Sequence, residues 1–296
     1  MNLAPVILFV YNRPNYTEQT LQALMHNELA DYSDLYIFSD GAKSDKDEEK
    51  VKKVREIIRE KKWCKNVIIK EEEDNKGLAN SIIEGVTAII NQYGKAIILE
   101  DDLISSTYFL RFMNEGLNFY ENKEEVISIH GYIYPIKKAL PENFFLKGTD
   151  CWGWATWKRG WSLFEEDGKK LLEEIKRKNL AHEFDFNGSY PYIKMLKKQI
   201  KGENDSWAIR WYASAFLHNK LTLYPNKSLI KNIGVNGEGT HTKKTKKFDV
   251  AISNTPININ SIPIQHSKIA YNAFQEYFKS IQPTLLQRIL HKIKFI

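Results

Sequence analysis

The chain has only two cysteines, Cys64 and Cys151. That is too few for a disulfide framework or a cysteine-built metal site, and it suits a reducing compartment. No apolar run approaches the length needed to span a bilayer. The opening Met1-Asn2-Leu3-Ala4-Pro5 leads straight into an apolar segment without a signal-peptide pattern, so a cytoplasmic protein is expected. No G-x-G-x-x-G follows the first apolar run, which leaves a dinucleotide fold unsupported. There is no Walker motif, no G-x-S-x-G elbow and no internal repeat. Neither sign of charge dominates. With 43 Lys and Arg against 37 Asp and Glu, the net charge is +6, which does not by itself point to nucleic acid.

What is present centres on Lys95-Ala-Ile-Ile-Leu-Glu-Asp-Asp-Leu-Ile104. Ala96 to Leu99 reads as a strand buried on both faces. It ends in three carboxylates, Glu100, Asp101 and Asp102. Adjacent acids repel and are costly to bury without a counter-charge. If the extended geometry persists, Glu100 and Asp102 point one way and Asp101 the other. At the carboxyl end of a parallel strand, such a cluster lies where open α/β sheets bind ligands. Its hard oxygens suit Mn²⁺ or Mg²⁺ shared with substrate phosphates; the plain alternative is a solvated acidic turn.

The flanking pattern supports a parallel sheet. Val6 to Tyr11, Leu35 to Phe38 and Val67 to Ile69 are further apolar runs. Helices are expected after Pro14, from about Asp45 to Glu60, and from Leu78, the last with Leu78, Ile82, Ile83, Val86, Ile89 and Ile90 as its apolar stripe. Four strands alternating with three helices predict a parallel sheet with helices on both faces. Beyond Asp102, Ser105 or Ser106 is a candidate cap for a helix carrying Phe109, Leu110, Met113 and Leu117. Val126 to His130 reads as a strand. Phe144, Phe145, Trp152, Trp154, Trp157 and Trp161 are expected to be mostly core, with one or two rings exposed as a sugar-binding floor. A charged helix near Lys169 to Lys178 follows, then a helix opened by Asn204-Asp-Ser-Trp207. Ser253 to Ile264 reads as an extended connector.

Several loop residues have two readings. Asp40 either accepts from a base or ribose or is a turn residue before Gly41. Lys76, at a helix start in Asn75-Lys76-Gly77, either attracts phosphate or belongs to an ordinary turn. His241, in the glycine-rich run Gly234 to His241, is either a metal or pyrophosphate contact or a plain loop histidine. From Pro283 to Ile296, Leu285, Leu286, Ile289, Leu290, Ile293 and Ile296 make one apolar face opposite Arg288, His291 and Lys292. That helix either docks on the domain or lies on an anionic membrane surface.

Taken in order, Tyr11-Asn12-Arg13-Pro14, Ser39-Asp40-Gly41, Asn75-Lys76-Gly77-Leu78-Ala79, Leu99-Glu100-Asp101-Asp102, Cys151-Trp-Gly-Trp-Ala-Thr-Trp157 and Asn204-Asp-Ser-Trp207 resemble a GT-A glycosyltransferase. The likeness is to bacterial polysaccharide enzymes related to N-acetylglucosaminyltransferase I, over roughly 5–241. It implies an α/β, Rossmann-like GT-A fold with a mostly parallel central sheet and an acceptor-side C-terminal region. One domain would span 1–282, with a nucleotide-sugar half near 1–104 and an acceptor half near 105–250, before the helix at 283–296. The resemblance implies Asp102 for the metal, Asp101 for the nucleotide, and Arg13 and Asp40 around it, with Glu100 in the triplet. His241 is the candidate second metal ligand. The implied donor is a UDP-sugar, and the acceptor a glycan or lipid-linked saccharide of a bacterial surface polysaccharide such as lipopolysaccharide or capsule. An inverting transfer needs a base, and Asp205 is the candidate, with Glu238 competing and an N-cap as the plain alternative. A sugar-nucleotide nucleotidyltransferase and a non-catalytic carbohydrate-binding protein are the other classes. The first expects a Gly-rich loop where Asn12-Arg13-Pro14 stands, and the second leaves the acidic triplet unexplained.

Overall fold

The computed structural model describes residues 3–236 and 245–282. Strands β1 (Val6–Val10), β2 (Asp34–Ser39), β3 (Asn66–Glu71) and β4 (Lys95–Glu100) alternate with helices α1 (Pro14–Met25), α2 (Asp45–Glu60) and α3 (Leu78–Tyr93). After them come β5 (Leu103–Ser105), α4 (Phe109–Phe119), β6 (Val126–His130), β7 (Asn143–Lys147) and β8 (Trp154–Trp157). Then follow α5 (Lys158–Trp161), α6 (Gly168–Arg177), α7 (Ala181–Phe184), α8 (Tyr192–Ile200), α9 (Trp207–Leu217), β9 (Leu221–Pro225), β10 (Ile230–Asn232) and α10 (Lys268–Ser280).

The expected α/β class holds: an eight-stranded, mostly parallel central sheet is flanked by helices, in the order β3-β2-β1-β4-β8-β6-β9-β7. β1 to β4 are mutually parallel, while β8 enters antiparallel to β4. β1 is paired with β2 on one side and β4 on the other. The strand order therefore reverses between β1 and β4, and such a switch point opens a crevice at the carboxyl ends of the strands. The alternation of a doubly covered strand is clear in β1. Val6, Leu8 and Val10 pack with Leu21 and Leu24 of α1 and Val54 and Ile58 of α2. Ile7 and Phe9 pack on the other face with Ile82, Val86 and Ile89 of α3. Each such side chain contributes about 1.5–3 kcal/mol by leaving water.

A third cluster fills the space under β7 and β9, where Phe144, Leu146 and Tyr224 meet Leu172, Ile175, Phe274 and Phe278. α9 joins the two halves: Trp207 and Trp211 pack in one cluster, Tyr212 and Phe216 in the other. A helix apolar all round is a buried helix.

Three local expectations change. Neither Ser105 nor Ser106 caps α4. Ser105 ends β5, the cap position is Tyr108, and Ser106 Oγ instead accepts from the Tyr108 N–H at 3.2 Å. Leu78 is 40% exposed, because the buried stripe of α3 starts at Ala79. In the aromatic run Phe144, Phe145, Trp154, Trp157 and Trp161 are buried, leaving Trp152 half-buried. The connector from Ser253 to Ile264 is irregular and packs Ile257 into the core. No helix among the described residues is long and apolar enough to cross a membrane. The proposed amphipathic helix at 283–296 lies outside the described residues, as do Glu238 and His241.

Candidate active site at the strand switch point

The loop after β1 is short because Pro14 starts α1 at once, its fixed φ suiting the first helical turn. Arg13 is thereby held at the junction of strand and helix. Its Nη1 donates to Asp102 Oδ2 at 2.9 Å and lies 3.6 Å from Asp101 Oδ1. The backbone N–H of Tyr11 donates to the Asp101 carboxylate. Thr20 Oγ1 donates to the Asp101 carbonyl at 2.8 Å, fixing the backbone of the acidic turn from α1. The triplet is not extended throughout: β4 ends at Glu100, and Asp101 and Asp102 form a turn. That turn lets one guanidinium face two consecutive acids, which strict strand alternation would place on opposite sides.

The cluster is short of positive charge. Burial, then the charges of Asp102 and Asp101, push the Glu100 carboxyl well up, with Arg13 opposing. Burial and then Asp102 push Asp101 up to about 7. Burial raises Asp102 against the pull of Arg13. Arg13 itself loses by burial, but the charges of Asp101 and Asp102 more than restore it and its proton is held more tightly. Three carboxylates facing one cation bind either protons or a second cation.

The turn into β5 also brings Gly234 onto Asp102. Ile233 N–H donates to the Asp102 carbonyl at 2.9 Å, and Asn232 Oδ1 accepts from the Gly234 N–H at 2.8 Å. A Cβ at 234 would stand 2.0 Å from Asp102 Oδ2, so only glycine allows this approach. The Thr245 N–H donates to the Val235 carbonyl at 3.0 Å.

Asp40, at the end of β2, is saturated. Oδ1 accepts from the backbone N–H groups of Gly41 at 3.0 Å and Lys76 at 2.8 Å. Oδ2 accepts from the Gly77 N–H and Asn75 Nδ2, both at 3.0 Å. Gly77 sits at φ +77°, so this carboxylate holds a turn that a larger residue would strain. Lys76 extends away, with Nζ 2.8 Å from Glu84 and 3.0 Å from Glu72.

Asp205 approaches from the other half. Its Oδ2 would be 3.7 Å from a Cβ at Gly77, so it borders the turn that Asp40 holds. It does not cap α9: Ser206 does, accepting from the Ile209 N–H at 3.3 Å. Asp205 is exposed, and its carboxylate makes no hydrogen bond or ion pair among the described residues. The plain reading of Asp205 as an N-cap is thus removed.

The structure therefore gathers Arg13, Glu100, Asp101 and Asp102 at one crevice, and places Asp40, the Lys76 backbone and Asp205 around the neighbouring turn. Sequence reasoning missed Thr20, the Tyr11 N–H and the Gly234 contact. Only Gly234, first of the glycine-rich run, carried a visible signal. Among the described residues no group of three or more His, Cys, Asp and Glu side chains is arranged to enclose a metal. A Mg²⁺ or Mn²⁺ site needs only one or two carboxylates when substrate phosphates supply the rest.

No family model and no curated protein sequence matches the chain. Solved structures overlap it weakly. A 1–349 fragment of S. aureus TarS aligns over 76% of this chain and 59% of its own, with 11% identity and a TM-score of 0.40. Against a longer S. aureus TarS structure, the chain spans 23% of that protein's length at 14% identity and a TM-score of 0.32. UDP-glucose pyrophosphorylase complexed with UDP-glucose aligns over 76% of this chain and 90% of its own, with 11% identity and a TM-score of 0.39. Mouse xyloside xylosyltransferase 1 aligns over 64% and 77%, with 12% identity and a TM-score of 0.35. At this overlap the comparisons assign no activity to the chain.

Proposed function

We propose that the chain is a metal-dependent, inverting GT-A glycosyltransferase that moves a sugar from a nucleotide-sugar, a UDP-sugar by resemblance, to a glycan or lipid-linked saccharide acceptor of a bacterial surface polysaccharide. The observation that carries this reading is the acidic turn at the β1/β4 switch point, where Arg13 is the counter-charge to the buried Asp101 and the half-buried Glu100 and Asp102. Asp102 would hold Mn²⁺ or Mg²⁺ together with diphosphate oxygens. When bound, that ion neutralises the leaving diphosphate.

The residues then divide the work. Arg13 and Asp101 orient the nucleotide end, and Asp40 keeps the 75–77 turn beside the donor rather than touching it through a free oxygen. Asp205, unpaired and exposed, takes the proton of the acceptor hydroxyl. The acceptor oxygen bonds to the anomeric carbon as the bond to the diphosphate oxygen breaks with its electron pair. A general base contributes about 10²–10⁴ in rate.

The test is a nucleotide-sugar panel scored for hydrolysis and binding with and without Mn²⁺. Binding of at least one UDP-sugar that needs the metal, and that Asp102→Ala abolishes, is expected. Metal-independent binding sinks the proposal. Pyrophosphate release from UTP and a sugar 1-phosphate would replace it with a nucleotidyltransferase.

A further inference from the structure

A second acid lies on the antiparallel half, outside the machinery above. Asp150 stands between β7 and β8 with its side chain 19% exposed. Its Oδ1 accepts from the Cys151 N–H at 2.8 Å, and Oδ2 from the Tyr134 hydroxyl at 3.3 Å. Behind it, His130 ends β6 at 0% exposure. His130 Nε2 is 3.7 Å from Asp150 Oδ2, and neither ring nitrogen has a hydrogen-bond partner among the described residues. Burial lowers His130 to about 4 against the pull of Asp150, so the imidazole is neutral near pH 7.

The surroundings are aromatic. Tyr134, Tyr190 and Tyr192 are close enough to Asp150 for its charge to raise their hydroxyls, after burial has done so. The next two residues in the chain, Cys151 and Trp152, are half-buried. Cys151 lies within electrostatic reach of both acidic groups. Its thiol is pushed up by burial first, then by Asp150, Glu100 and Asp102. Asp150 is thus a neighbour of the proposed donor site.

A partly exposed carboxylate beside aromatic rings suits a saccharide, whose hydroxyls donate to the acid and whose C–H faces lie on rings. The imidazole behind it is one short movement from donating to Oδ2, and such contacts commonly tighten only on binding. We propose that Asp150 anchors one hydroxyl of the acceptor saccharide, with His130 as a positioning residue that holds the carboxylate from behind. This rests on the glycosyltransferase reading and adds to it the group that selects the acceptor.

The experiment uses full-length protein with UDP and Mn²⁺ and the methyl glycosides of glucose, galactose, N-acetylglucosamine and rhamnose, read by saturation-transfer NMR. At least one glycoside should bind the wild type. Asp150→Asn should weaken it about tenfold or more, and His130→Leu about fivefold, because a site built to bond a hydroxyl loses heavily when that bond is removed. UDP affinity should stay unchanged in both. If Asp150→Asn also loses UDP, Tyr134→Phe decides, with a fewfold weaker glycoside expected at unchanged UDP affinity. Glycoside binding indifferent to these changes, or absent from a wild type that binds UDP, overturns the anchor. A wild type that binds no UDP overturns the glycosyltransferase reading itself.

Discussion

Asp40 and Asp102 close the strands on either side of β1, and they are opposites. Asp40 takes four hydrogen bonds, three of them from backbone N–H groups. Asp102 shares one guanidinium with Asp101 and lies in a turn with raised carboxyls. The first acid is matched by the fold, while the second is tolerated by it. An acid that the fold matches is spent on structure. An acid that the fold leaves under-compensated is available to a ligand, and strain kept at a functional site in this way is a common trade.

The largest expected effect breaks the second member of that pair. Asp102→Ala should lower metal-dependent turnover by at least about a hundredfold, through loss of the charged ligand. Its melting temperature at pH 7 should hold or rise, because a raised acid contributes stability only at low pH and loses it as pH rises through its folded pKa. Near-normal turnover with Mn²⁺ would end the assignment. Asp205→Asn should also cut turnover about a hundredfold or more, by removing the base. Its unfolding free energy should move by less than about 0.5 kcal/mol, as for an ordinary exposed site. Ser206→Ala is the control, losing about 1 kcal/mol as a helix cap.

Asp40→Ala should show the reverse balance. Releasing the 75–77 turn leaves three N–H groups without their acceptor, at roughly 2–4 kcal/mol in total. Chemical denaturation reads this directly, and a loss of turnover without a loss of stability would return Asp40 to the nucleotide. A smaller effect sharpens the same contrast elsewhere. His130 refuses a proton until about pH 4, while in the unfolded chain it titrates near 6.5. Stability therefore falls as pH drops through that window, by up to about 3 kcal/mol. Asp101, raised to about 7, acts in the opposite direction as pH rises. The difference between wild type and His130→Gln isolates the histidine term, and it should vary with pH between 6.5 and 4. A constant difference would show that His130 does not titrate as buried.

The parallel half was legible because its strands are local apolar runs, each announced by β-branched residues and followed by an amphipathic helix. α2 begins and ends at the residues its charge pattern suggests. The antiparallel half was not. β7 and β8 lie inside an aromatic run that has no period, and their neighbours, β9 and β4, are distant in sequence. At the site the acids were visible as residue types, but their partners were not. Nothing near Asp40 announces that it is held by a turn more than 30 residues later. Asp205 and Ser206 are both good capping residues, and only geometry shows that the serine caps while the aspartate stays free. Asp150 passed unnoticed because its significance depends on His130, brought to it across two strands.

The tryptophan packing has an optical consequence. Trp154 lies in β8 beside β4, and its indole is 5.4 Å from Trp207, 5.8 Å from Trp161 and 5.9 Å from Trp211, ring centre to ring centre. Indoles this close share their excited states, so the folded chain should carry an exciton-split circular dichroism band. Trp207 follows Asp205 by two residues, and Trp154 pairs in register with Ile98, two residues before Glu100. The band is thus a built-in ruler between the two halves of the crevice, and a shift of either side against the other should alter its splitting and amplitude.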